Sequence, residues 1–215
     1  MLLRKPTLEE MVALTTNYGI HILRDGDTYE SNPDDMYSFR VDYTGDAIEL
    51  SAGDSAWTLT ENMATVARGP AIVRSPRAVT VIRGYAPRTQ SVSLAGGTNL
   101  PYINGCSSEQ LIAPVRPGDP TMQLLYIPPH SSEQAHHIHA TARVVHVLEG
   151  LGKSIIGMDG GEVIELSPGM TLVLDRMVPH HFETAEQPLL VAPIHVWSST
   201  PLEQGHPMFY GTIKT

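Results

Sequence analysis

Residues 136–150 read HHIHATARVVHVLEG, and the rest of the chain is best read outward from them. Val144, Val145 and Val147 favour an extended strand, and Glu149-Gly150 closes it with a turn. In an extended chain, side chains alternate between faces, so His137 and His139 share one face and His136 points to the other. Two imidazoles on one face can converge on a single ion, which generally needs at least one more ligand from elsewhere in the fold. Pro179-His180-His181-Phe182 supplies candidates on a distant segment, with His180 and His181 as alternative registers. The competing reading is that these histidines are exposed or satisfy local backbone groups.

On either side of this stretch the chain consists of short apolar or alternating runs. They are Met36–Tyr43, Ala47–Leu50, Ala56–Thr60, Ala78–Ile82, Ser91–Leu94, Met122–Ile127, Arg143–Leu148, Ser154–Met158, Val163–Leu166, Thr171–Leu174 and Leu189–Trp197. Gly69-Pro70, Gly96-Gly97, Asn104-Gly105, Pro117-Gly118, Pro128-Pro129 and Pro168-Gly169 are among the turn signals that separate them. The class is therefore mostly β, and strands this short and numerous favour a sandwich or barrel over a parallel α/β sheet. Thr7 and Glu10 have capping-box spacing, which predicts one short helix around Leu8–Thr15. Glu49-Leu50-Ser51-Ala52-Gly53 is echoed by Glu165-Leu166-Ser167-Pro168-Gly169, each before an apolar strand, through either two similar turns or a duplicated half.

The 215 residues suffice for one sizeable domain or two small ones. Twenty-three acidic against 14 basic residues argue against nucleic acid or an anionic membrane as partner. Cys106 stands alone and makes no internal disulfide. Arg4, Lys5, Glu9 and Glu10 interrupt any secretory signal, and no eighteen-residue apolar run occurs, so a cytoplasmic location is expected. No GxxxxGK phosphate loop, cysteine cluster or G-x-S-x-G elbow appears.

The histidine stretch, the strand-turn series after it and Val178-Pro179-His180-His181-Phe182-Glu183 together resemble the metal-binding cupin family of the RmlC-like superfamily. His137 and His139 match its His-x-His pair, Gly150 the closing glycine of its first motif, and His180 the ligand of its second. The resemblance covers roughly residues 120–198. It implies an antiparallel β-barrel or jelly roll with an N-terminal strand and helix extension. Residues 1–85 would form that extension, as either added strands or a degenerate cupin half, and residues 86–215 the metal-binding barrel. It also implies a homodimer paired through outer sheet faces. Two departures stand out. Arg143 occupies the usual glutamate position, and Asp175-Arg176-Met177 replaces the proline and glycine usual in the second motif's turn.

An arginine cannot ordinarily coordinate a metal, so the resemblance leaves His137, His139 and His180 as the protein ligands. A neutral three-histidine set leaves the ion's charge uncompensated, which attracts a small anionic or polar substrate. Arg143 either reinforces that preference, forms a structural salt bridge with Asp175 or Glu149, or sits solvated at the barrel rim. Tyr126 and His195 are candidates for managing a proton. Gln123 has the parity opposite to Tyr126, so at most one of the two faces the pocket, while His146 is expected to face outward or into a subunit contact rather than toward the metal. The favoured function is non-haem iron dioxygenation with Fe(II). Isomerisation or elimination with Zn(II), Mn(II) or Ni(II) is the second reading, and non-catalytic small-ligand binding the third.

Overall fold

Alternation organises the described part of the chain, and where alternation fails the strand is covered on both faces. The computed structural model describes residues 39–42, 47–74, 78–83, 86–115, 119–158 and 161–197, so the helix expected around Leu8–Thr15 lies outside it. The first strands in chain order are β1 (Phe39–Asp42), β2 (Ile48–Leu50), β3 (Asp54–Leu59), β4 (Met63–Arg68), β5 (Ala71–Val73), β6 (Ala78–Arg83) and β7 (Gln90–Ser93). They are followed by β8 (Leu100–Pro101), β9 (Ser107–Ile112), β10 (Thr121–Ile127), β11 (Thr141–Gly150) and β12 (Gly152–Ile156). The last are β13 (Glu162–Leu166), β14 (Thr171–Leu174), β15 (His180–Glu183) and β16 (Leu189–Trp197). Strands β4, β5, β8, β9 and β15 were not marked by the apolar pattern. Ser107-Ser108-Glu109-Gln110 is polar, and Met63-Ala64-Thr65-Val66-Ala67 alternates only weakly.

The strands form antiparallel sheets ordered β1-β6-β3-β4-β7, β14-β11-β16-β10-β9-β8, β13-β12-β15 and β2-β5. Three apolar clusters stack them. Ala56, Val79 and Val81 of the five-stranded sheet pack on Ile48 and Leu50 of the two-stranded one. Its opposite face sends Trp57, Leu59, Val66 and Ile82 against Met122, Leu124, Val144 and Ile194 of the six-stranded sheet. The far face of that sheet packs Ile127, Val145, Val147 and Val191 against Leu166 and Phe182 of the three-stranded sheet. Strand β3 is buried along its whole length because it is central in a sheet with cover on both sides.

No sheet closes into a barrel among the described residues; open antiparallel sheets pack face to face instead. Beyond β15 the neighbouring chain makes only the isolated bridges Ser132↔Glu183 and His137↔His180, because residues 131–140 run as bends rather than a strand. The six-stranded sheet's outer face, which the resemblance would offer to a second subunit, is covered by this chain's own five-stranded sheet. Strand β7 pairs with β4, so the five-stranded sheet takes strands from both sides of residue 85.

The sequence echo has a physical counterpart. The Asp54 N–H donates to Ser51 O (3.1 Å) across Gly53 at φ +91°, and the Met170 N–H donates to Ser167 O (3.1 Å) across Gly169 at φ +88°. Each turn leads from a small-sheet strand, β2 or β13, into a large-sheet strand, β3 or β14. Positive φ at the third turn position is where glycine is favoured. At Gly150, φ is +80° and a Cβ would lie 1.8 Å from the Pro188 carbonyl oxygen, which explains the glycine that ends β11.

His146 links the layers. Its Nε2 lies 3.0 Å from Thr80 Oγ1 on β6 and its Nδ1 lies 2.9 Å from Thr171 Oγ1 on β14. Burial pushes its pKa down to about 4, so the ring is neutral at pH 7 and the two hydroxyls supply one donor and one acceptor. His146→Leu strands the fully buried Thr80 hydroxyl and should lower stability by about 2 kcal/mol in urea unfolding. An unchanged midpoint would show that neither hydrogen bond contributes.

Candidate metal centre

The bridge between His137 and His180 builds the centre. Each backbone N–H donates to the other's carbonyl, at 3.1 and 2.9 Å, which holds the two residues directly opposite one another. His139 follows two residues later on the same face, and its carbonyl accepts the Met177 N–H at 2.7 Å. Met177 makes that contact with φ at +58°, so a non-glycine residue takes the left-handed position in the unusual Asp175-Arg176-Met177 turn. Ring centroids lie 4.5 Å apart for His137–His139, 4.8 Å for His137–His180 and 5.3 Å for His139–His180. One potential ligand atom from each residue lies within 4.8 Å of the other two.

Hydrogen bonding sets the tautomers. His137 Nδ1 donates to the Ala135 carbonyl (2.9 Å) and His180 Nδ1 to the Val178 carbonyl (2.7 Å). A carbonyl only accepts, so the proton sits on Nδ1 and the Nε2 lone pair is free in both neutral rings. His139 Nε2 and His180 Nε2 are buried without a hydrogen-bond partner. Burial first, with Arg143 and the neighbouring imidazoles adding to it, pushes His139 down to about 3. Burial, partly opposed by the Val178 hydrogen bond, takes His180 to about 4. Neutral, inward-facing imidazoles with unused lone pairs are the donor set a divalent ion takes, so these residues fit a metal.

The remaining histidines of both motifs face away. His136 Nδ1 and His181 Nδ1 lie 2.7 Å apart, His136 Nε2 contacts the Gly157 carbonyl, and His181 Nε2 reaches Glu183 Oε1 at 2.9 Å. The convergent group therefore contains His180 and not His181.

A cavity of about 300 Å³ opens beside the cluster, lined in part by His137, His139, Arg143, His195, Glu133 and Tyr102. Arg143 on β11 pairs in register with His195 on β16, which places both side chains on the cavity face. Arg143 makes no hydrogen bond or ion pair to any described residue, and its buried Nε has no partner. Neither structural salt bridge considered for it, with Asp175 or Glu149, is formed. Burial lowers its pKa to about 10 and Glu133 opposes that shift, so it stays cationic at pH 7. His195 Nε2 is likewise buried without a partner, and burial followed by Arg143 takes its pKa to about 3. Tyr126 is not among the lining residues; Gln123 and Leu125 of the same strand are. The phenol at the cavity wall is Tyr102, whose hydroxyl donates to Gln134 Oε1 at 2.7 Å.

Sequence reasoning missed Glu133. It is 5 % exposed and its Oε1 accepts the Phe182 N–H at 3.3 Å. Burial raises its carboxyl to about 7, although the Phe182 hydrogen bond and Arg143 pull the other way. Glu133 stands four residues before His137 in a polar loop, and only the bridges to β15 show which way that loop folds.

Fold and site together define a mostly β protein with a cluster of three histidines able to hold a metal ion beside a small polar cavity. Within it, residues 123–196 match the family model described as a cupin domain, so this part of the chain is a cupin-like domain. No curated protein matches the chain. Among solved structures, the polyketide cyclase RemF from Streptomyces resistomycificus is 20% identical, with 54% of this chain and 88% of that one covered at a TM-score of 0.41. A cupin-like protein from Thermotoga maritima is 15% identical, with 48% and 84% covered at a TM-score of 0.39. A cupin protein from Bacteroides fragilis is 21% identical, with 45% and 79% covered at a TM-score of 0.34. No helix among the described residues is long and apolar enough to cross a membrane.

Proposed function

We propose that the protein is a metal-dependent cupin enzyme acting on a small anionic or chelating substrate, with His137, His139 and His180 as the metal ligands. The observation that carries this reading is the convergence of three imidazoles, two with a buried unpartnered Nε2, beside an unpaired guanidinium in one cavity. Non-haem iron dioxygenation is the favoured reaction, for which Fe(II) in this site would supply the redox chemistry with O₂. Arg143 binds a negative oxygen of the substrate through its guanidinium fork, so that the anion lies along the imidazole cluster. In this reading His195, register partner of Arg143 and neutral at pH 7, offers its unpartnered Nε2 for hydrogen bonding or transient proton transfer with the substrate. Tyr126, which does not line the cavity, has no part in this reading.

Glu133 favours a second reading. A buried carboxyl with a pKa near 7 suits proton transfer, so a redox-inert ion such as Zn(II), Mn(II) or Ni(II) would serve an isomerase or lyase. The same proposal assigns the metal chemistry to residues 86–215 and gives residues 1–85 a supporting role, as a degenerate half whose Ile48, Leu50, Ala56, Val79 and Val81 fill the space between its sheets.

Elemental analysis of untagged protein purified without chelator tests the proposal. Near-stoichiometric metal is expected in the unmodified chain and background levels in H137A, H139A and H180A. Iron directs the search to oxygen consumption, and zinc, manganese or nickel moves the non-redox reading ahead. No retained metal, even after attempted reconstitution, overturns the mechanism and leaves a metal-free binding protein.

A further inference from the structure

The cavity holds a buried carboxyl, Glu133, and a half-buried guanidinium, Arg143, that form no ion pair. Arg143 forms no ion pair with a described residue, and Glu133, whose Oε1 takes the Phe182 N–H, has its second carboxylate oxygen without a hydrogen bond to any described residue. A buried guanidinium and carboxylate in one cavity ordinarily pair, because each is costly alone. Here both line the cavity without an ion pair between them, and Tyr102, hydrogen-bonded to Gln134, lines it too.

We propose that Arg143 and Glu133 are the two ends of a ligand clamp that selects a small hydroxycarboxylic acid, its carboxylate on the Arg143 fork and its hydroxyl donating to Glu133. This deepens the proposed function and rests on it. The chemistry of the two ends sets the ligand class. A guanidinium recognises a carboxylate in a bidentate manner, and an acceptor-only carboxylate recognises a donor. Arg143 together with a divalent ion outweighs the single negative charge of Glu133, so an ammonium is repelled and a neutral hydroxyl is the donor that fits. A cavity of about 300 Å³ admits a short acid. Glu133 thus acts as a specificity residue, distinct from the three histidines.

Calorimetric titration at about pH 8, where Glu133 is ionised, reads the clamp directly. The probes are propanoate, lactate, 3-hydroxypropanoate and β-alanine, each added to the metal-loaded protein. The better hydroxy acid should bind about tenfold more tightly than propanoate, as one hydrogen bond to a charged acceptor provides. β-Alanine should bind more weakly than 3-hydroxypropanoate. E133Q should lose most of the hydroxyl preference and leave propanoate within about twofold, since the Gln oxygen keeps the Phe182 N–H and turns its NH₂ to the cavity. R143Q should weaken every acid at least tenfold. If E133Q does not fold, E133D, which withdraws the charge by one methylene, must show the same loss.

Repeating the titration on chelator-treated protein separates the clamp from the metal. A preference that vanishes on chelation but survives in E133Q belongs to the ion and overturns the clamp. A preference that survives chelation and vanishes in E133Q upholds the clamp even where elemental analysis has failed the metal reading. Equal binding of propanoate and both hydroxy acids, or tightest binding of β-alanine, also overturns it.

Discussion

Trp57→Ala should lower stability by about 3–5 kcal/mol, the range for truncating a fully buried aromatic without repacking. Trp57 is 0 % exposed and sits among Leu59, Val66, Met122, Leu124, Val144 and Ile194, where the five-stranded sheet meets the six-stranded one. Its Nε1 donates to Ser55 Oγ at 3.0 Å, so alanine removes a satisfied donor along with the ring. The contacts belong to both sheets, so the loss should appear as one cooperative transition in urea monitored by circular dichroism, with the two units unfolding together. Two separated transitions, or a change below about 1 kcal/mol, would show that the six-stranded sheet stands without its cover.

E133Q should change the pH dependence of stability by about 3 kcal/mol. The native carboxyl titrates at about 7 against an ordinary 4.5, because burial disfavours its charged form. Between those values the native state binds more protons than the unfolded chain, so stability from this group is fully present below pH 4.5 and lost as pH rises to about 7. A pKa difference of that size corresponds to about 3 kcal/mol. The buried histidines work in the opposite direction, since His139, His180 and His195 are pushed down and favour the native state as pH rises. Subtracting E133Q from the parent cancels them. The stability of E133Q relative to the parent should therefore rise by about 3 kcal/mol from pH 4.5 to 8 in chelator-treated protein. A flat difference would mean that Glu133 is solvated rather than buried.

Much of the candidate site was legible from parity alone. A period of two placed His137 and His139 on one face and His136 on the other, and the cluster keeps that division although residues 131–140 form bends and isolated bridges rather than a strand. The same rule left Gln123 and Tyr126 as alternatives, since a strand has two faces and the sequence does not say which one meets the cavity. In the structure Gln123 and Leu125 line the cavity. The turn glycines were legible for a local reason, because Gly53, Gly150 and Gly169 all take a backbone conformation that side chains resist.

Contacts between distant segments were not legible. Glu133 and Tyr102 join the cavity only because the loop before His137 bridges to β15 and β8 leads to the cavity mouth, and neither pairing leaves a periodic trace. His146 was expected to face outward. It does leave the cavity face, but the surface it meets is Thr80 of the chain's own N-terminal sheet. By itself, then, the sequence determined the β class, the corners and the face that each histidine shares, because backbone geometry sets these over a few residues. Tertiary structure alone decided that, among the described residues, open sheets stack without closing into a barrel, that the outer face of the six-stranded sheet is covered from within, and that Glu133 and Arg143 share a cavity without pairing. Each of these depends on burying apolar faces that lie far apart in the chain, and local periodicity records that a face is apolar without recording what covers it.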